Sequence, residues 1–348
     1  MSTHPSAPDN LNLSTENRFS SKLSRSFSTF TSGTLLVVAG FLIGVGVLLF
    51  DYLLWPDKNF PNHIHKPAFQ LFLFAVVAQT VFWSVAVGSM LPALRVLWRY
   101  TKGHWPEITA WLLLFAALVF CSRFFAFSCK AYSLQHHGTK LDILTYLGGV
   151  VAIMAAGGSI LVNIGLREIL ATSKPAVERE KAAKVEPDNV ELVEEEQAGF
   201  IRTYLFLRGR FLHFLSLLGI MLGLVVLAQG AKRYFIQHVD HICVPGDPTA
   251  FGFGWDKVMV FGLYYTLILI LTFLPTFSLL IATGNKLRDD LLPIPSPHSD
   301  QWENRCTRRE SLEKLLALTM TERLRTVIAV SAPVLGGLIS LLQFIKGK

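Results

Sequence analysis

Seven runs of about 20 or more mostly apolar residues dominate this sequence, and each is long enough to cross a bilayer as a helix. They cover residues 34–54, 68–94, 108–128, 143–166, 211–229, 258–283 and 326–345. Hydrocarbon offers no water to bond an open backbone, so segments of this kind are helices. Over 348 residues the chain is 51% hydrophobic and only 16% charged, whereas a soluble domain carries about 25% charged residues. Mean hydropathy is +0.43. Disordered, fibrous and small disulfide-framework classes are excluded, and an ordinary soluble enzyme is not expected. The expected fold is all-α, a polytopic transmembrane bundle of six or seven spans. The seventh run carries Pro333 and Gly336-Gly337, so it either spans or lies in the interface.

The basic residues predict an orientation. With the N-terminus in the cytoplasm, the cytoplasmic segments 1–33, 95–105, 167–210 and 284–325 hold 22 Lys and Arg, against 9 in the external segments. Cytoplasmic loops of membrane proteins carry this excess. The net charge of +7 is therefore read as topology and not as a nucleic-acid signal. The first run is too long for the apolar region of a cleavable signal, and no small-residue cleavage site follows it. The only Asn-x-Ser/Thr sequon, at Asn12, falls on the cytoplasmic side. A bacterial cytoplasmic (inner) membrane is the expected location.

This topology divides the chain into a cytoplasmic tail 1–33, spans one to four over 34–166, a charged linker 167–210, spans five and six over 211–283, a connector with a helix over 284–325, and the seventh run. In the tail, Phe19, Leu23, Phe27 and Phe30 share one helical face beside Arg18, Lys22 and Arg25. A basic amphipathic helix on the membrane surface and a disordered tail are both open. Residues 171–200 carry eight acidic residues and four basic ones, which reads as a solvated linker or an exposed helix between two membrane halves. Pro293, Pro295 and Pro297 make a stiff connector, and a helix is expected over 299–318. Arg309–Glu313 and Glu310–Lys314 stand at i,i+4 to support it. It is expected to pack on the membrane surface or on a protein partner.

Candidate sites are few. Six of ten histidines fall in the external loops, as His63 and His65, His136 and His137, and His238 and His241 with Asp240 between the last two. Imidazole binds metals and titrates near neutral pH, so converging loops would hold zinc or copper or sense pH. The spacings match no standard zinc template, and loop histidines without a ligand are the more ordinary reading. Cys129 and Cys243 both face the external side, which allows a disulfide between them; Cys306 is expected reduced. Arg123 is the one full charge well inside a run; Asp51 lies at a comparable depth as its partner, with Asp142 as the alternative. Such a pair is a gate or a buried structural contact. Gln70, Gln79 and Asn163 are expected to hydrogen-bond between helices, and Pro275 to kink the sixth span.

Gly40 with Gly44, and Gly219 with Gly223, are GxxxG pairs that allow backbones to approach, within the chain or in a homo-oligomer. No phosphate-binding loop, GxSxG elbow or HExxH helix is present. The functional expectation is a transport- or channel-like bundle, or the membrane subunit of a larger assembly. The alternatives are a membrane enzyme or a pH- or metal-sensing signalling protein using the external histidines.

Overall fold

The computed structural model describes residues 35, 37–46, 67–98, 103–121, 135–183, 190–235, 255–293 and 302–346, and every element among them is an α-helix. The helices are α1 (Val37–Gly46), α2 (Pro67–Trp98), α3 (Trp105–Cys121), α4 (Gln135–Ala183), α5 (Val190–Phe235), α6 (Trp255–Leu291), α7 (Trp302–Leu316) and α8 (Met320–Lys346). Five stretches are long and apolar enough to cross a membrane: Gln70–Trp98, Leu147–Thr172, Ala198–Ala231, Val258–Leu291 and Trp302–Ser340, the last covering α7 and most of α8. Two shorter apolar helices, Val37–Gly46 and Trp105–Leu118, fall on the first and third runs.

The helices outrun the apolar runs that seed them. α4 has 49 residues and α5 has 46, so at ~1.5 Å per residue each far exceeds a hydrocarbon core of ~30 Å. Much of the segment expected as a linker, 167–210, is thus the polar end of these two helices. α4 and α5 run antiparallel, with Gly158 against the Phe214 ring and Gly165 against Leu207.

α5 is the centre of the bundle and packs on α2, α4, α6 and α8. Its buried face includes Tyr204, Phe211, Phe214, Leu215 and Leu218. The outward faces are also apolar. Leu263, Leu267 and Leu274 on α6, and Leu324, Val327 and Leu335 on α8, are exposed. A soluble bundle puts charges there; a surface this apolar suits contact with lipid.

The closest packing joins α5 to α8. A methyl group added at Gly219 would collide with the Ala329 carbonyl, and one at Gly223 would lie 3.1 Å from the Ala332 oxygen. At Gly336 it would lie 2.7 Å from the Gly223 oxygen, and at Gly230 it would meet Ser340. Gly262 on α6 faces the Pro333 carbonyl in the same way, at 2.8 Å. The Pro and Gly residues that made the seventh run ambiguous are therefore its contact surface, and α8 is a helix packed against α5 and α6. The other GxxxG pair is used alike: Gly40 stands over Val81 and Ser84, and Gly44 over Thr80, so α1 lies on α2. Both glycine pairs meet helices of the same chain.

Gly219→Leu should separate α5 from α8 and destabilise the protein by about 1–3 kcal/mol or more, the range of overpacked cores. Gly209 is exposed with open space around it, so Gly209→Leu should leave the melting temperature equal or higher. Thermal unfolding in detergent compares the two.

Candidate functional site

A cleft of about 390 Å³ opens between α3 and α6, with α4 as its floor. Both walls pack on α4. The Tyr264 hydroxyl donates to the Leu118 carbonyl and ties α6 to α3 at one end of the gap. The walls are apolar, with Trp111, Leu114, Phe115 and Leu118 from α3 and Leu271 from α6. The floor is mixed, with Ile160, Asn163 and Arg167 of α4 lining it. Ser159, Asn163 and Arg167 recur every four residues along α4 in steps of ~6 Å, and Ser159 itself is fully buried.

Each has a partner. Ser159 Oγ and Asn163 Nδ2 both donate to Thr276 Oγ1, each at 3.3 Å. Ser159 is fully buried and Thr276 is 3% exposed. A hydroxyl at the bottom of an apolar gap needs such partners, because leaving it unpaired costs about 1–3 kcal/mol. Pro275 contributes in another way. Its ring nitrogen has no hydrogen, which removes the amide that would bond the Leu271 carbonyl one turn earlier, and both residues line the cleft.

At the polar end, Arg167 Nη1 lies 2.8 Å from Glu107 Oε1, and His104 Nδ1 lies 3.9 Å from the other carboxylate oxygen. Glu107 stands in the first turn of α3, where a negative charge suits the helix dipole. The Arg167 side chain remains 55% exposed, so its guanidinium can take a further partner.

A second polar cluster joins α5 to the α7–α8 junction, and its groups are engaged with one another. Arg208 Nη1 donates to the carbonyls of Leu315, Leu316 and Ala317 at 3.0–3.1 Å, which caps the end of α7. Its Nε lies 3.4 Å from Glu322. Glu322 also accepts from the Thr319 backbone at 2.8 Å, while Thr319 Oγ1 accepts from the Glu322 amide at 3.2 Å. This reciprocal pair is a capping box and starts α8. The buried Tyr204 hydroxyl lies 3.3 Å from the Leu280 carbonyl and 3.2 Å from that of Leu316. Gly284 leaves room for that ring. Arg325 Nε donates to Ser216 Oγ at 2.7 Å.

α7 itself docks on α6. Arg309 pairs with Asp289 and with the Leu292 carbonyl, and Arg288 lies 3.1 Å from Glu313. The charges expected to staple α7 internally thus reach across to its neighbour. The helix is Trp302–Leu316, and its buried residue is Leu316.

The residues singled out from the sequence stand mostly elsewhere. His63, His65, His238, Asp240, His241, Arg123, Asp51, Cys129 and Cys243 lie outside the described residues. Among the described residues no three His, Cys, Asp or Glu side chains come together as metal ligands. Asn163 does bond between helices, and Gln79 is buried. Glu107, Arg167, Thr276, Arg208 and Glu322 were not anticipated. The four-residue spacing of Asn163 and Arg167 was a visible signal for the cleft, and Thr319-x-x-Glu322 was one for the start of α8.

No family model, curated protein or solved structure matches this chain. Its own geometry carries the functional reading.

Arg208→Ala should remove the donor shared by the Leu315, Leu316 and Ala317 carbonyls and Glu322, of which Leu316 keeps Tyr204 and Glu322 keeps Thr319. The expected cost is about 1.5–3 kcal/mol, the range for bonds to a charged group. Amide exchange should accelerate over 302–322 and stay unchanged in α2. Arg208→Lys should restore little of this, because one ammonium does not reproduce the guanidinium fork.

Proposed function

We propose that this chain is an integral membrane protein of transport-like or membrane-subunit type, and that its working site is the α3–α4–α6 cleft, which admits an amphiphile from the bilayer. One observation carries the reading. Asn163 and Arg167 of α4, with Thr276 of α6, put polar groups in a gap whose two walls are otherwise apolar and partly exposed, with Leu114 at 51% and Leu271 at 51%. A helix junction built only for packing closes such a gap with side chains. The volume falls within the ~300–1,000 Å³ of small-molecule sites, and apolar walls with a few placed polar groups are their usual lining. In a membrane, a ligand that matches this pattern has an apolar body and a polar end.

The polar ends of α3, α4, α5, α6 and α8 are assigned to the cytoplasm under the same proposal. The support is the 22-to-9 distribution of basic residues. Anionic lipid in a cytoplasmic leaflet attracts basic segments and favours this excess.

Two measurements test these assignments. Leu114→Trp should fill the cleft from its rim and weaken binding of a fluorescent acyl-chain probe at least tenfold. Leu113 is 66% exposed and does not line the cleft, so Leu113→Trp is the control. Equal binding by the two variants overturns the cleft assignment. For orientation, Cys306 is a free thiol on α7. With the other three cysteines changed to Ser, an impermeant maleimide should label it in inverted vesicles and spare it in right-side-out ones. The opposite pattern reverses the topology.

A further inference from the structure

The two charges at the polar end of the cleft point to what kind of amphiphile it takes. This inference rests on the cleft being a binding site. We infer that the ligand is a zwitterionic phospholipid, with a phosphate and an ammonium in one headgroup. Arg167 and Glu107 stand side by side at the mouth, one from the floor and one from the α3 wall. A guanidinium matches a phosphate through paired N–H donors. A carboxylate beside it matches an ammonium and repels a second negative charge. The pair is exposed enough to exchange partners, at 55% for Arg167 and 32% for Glu107. A headgroup carrying both charges satisfies both residues and leaves neither unpaired. An anionic headgroup satisfies Arg167 alone and faces Glu107 unfavourably; a simple cation does the reverse.

The remaining lining continues the match. One turn below Arg167, about 6 Å deeper, Asn163 and Thr276 present polar atoms at the level where a phospholipid carries its esters. Below them the walls are apolar along Phe115 and Leu118. Charged, polar and apolar groups thus follow one another down the cleft in the order of headgroup, ester and acyl chain.

The test uses the full-length protein, delipidated in detergent, with binding read by native mass spectrometry. The probes are phosphatidylethanolamine and phosphatidylglycerol with identical acyl chains. Wild type should bind the ethanolamine lipid about tenfold more tightly. Glu107→Gln keeps the phosphate donor and removes the repulsion, so it should abolish or invert that preference. Arg167→Gln should weaken both lipids. Equal binding of the two lipids by wild type, or an unchanged preference in Glu107→Gln, overturns the headgroup assignment. If Leu114→Trp then still weakens both lipids, the cleft remains the site and only the headgroup inference falls. If Leu114→Trp leaves both lipids bound as in wild type, the cleft itself is excluded.

Discussion

Between α5 and α8 the two backbones touch. The surface of Gly219 meets the carbonyl of Ala329, and Gly336 meets that of Gly223. In an apolar solvent two apolar helices gain little from burying their faces, because lipid is as apolar as they are. What holds them is close van der Waals contact, and close contact requires that no side chain intervene. Much else follows from this crossing. It seats α8 against α6 through Gly262 and Pro333. It also places Glu322 and the end of α7 within reach of Arg208 on α5. The capping of α7 is therefore downstream of a glycine contact more than a helical turn away.

Two arginines show how the same chemistry serves different ends. Arg208 is 12% exposed, and its donors are committed to three carbonyls and Glu322. It is a clamp. Arg167 meets one carboxylate at the edge of a gap and remains more than half exposed. The difference lies in the surroundings. α5 is enclosed by four helices, whereas the face of α4 that bears Arg167 lies between two helices tied to one another through Tyr264 and Leu118.

Much of the architecture was legible in the sequence. Apolar run length located α2, α4, α5, α6 and α8, because spanning length follows from rise per residue alone. The glycine pairs announced close approach, and Asn163 an interhelical bond. Other features were not legible, for definite reasons. The partner of Gly219 and Gly223 could not be read, since a small residue says that something comes near and not what. The pairing of Arg309 with Asp289 in place of Glu313 depends on where α7 lands on α6. Glu107 sat just ahead of one run and Arg167 just after another, so each looked like an ordinary flanking charge. Only the antiparallel arrangement of α3 and α4 brings them together. His63, His65, His238 and His241, Arg123 with Asp51, and the Cys129–Cys243 pair lie outside the described residues. His136 and His137, expected in an external loop, stand in the first turn of α4, because that helix begins at Gln135, ahead of the apolar run.

The sequence by itself determined that this chain is helical, that several helices are of bilayer length, and where charge and small residues fall along them. These are local properties: hydropathy, rise per residue and side-chain size act within one segment. The tertiary structure decided which helix fills which groove, that Pro333 and Gly336 are contacts and not interruptions, and that Glu107, Asn163, Thr276 and Arg167 share one cleft. A cleft is a gap between elements distant in sequence, here α3, α4 and α6. No periodicity within one helix specifies where two others fail to meet.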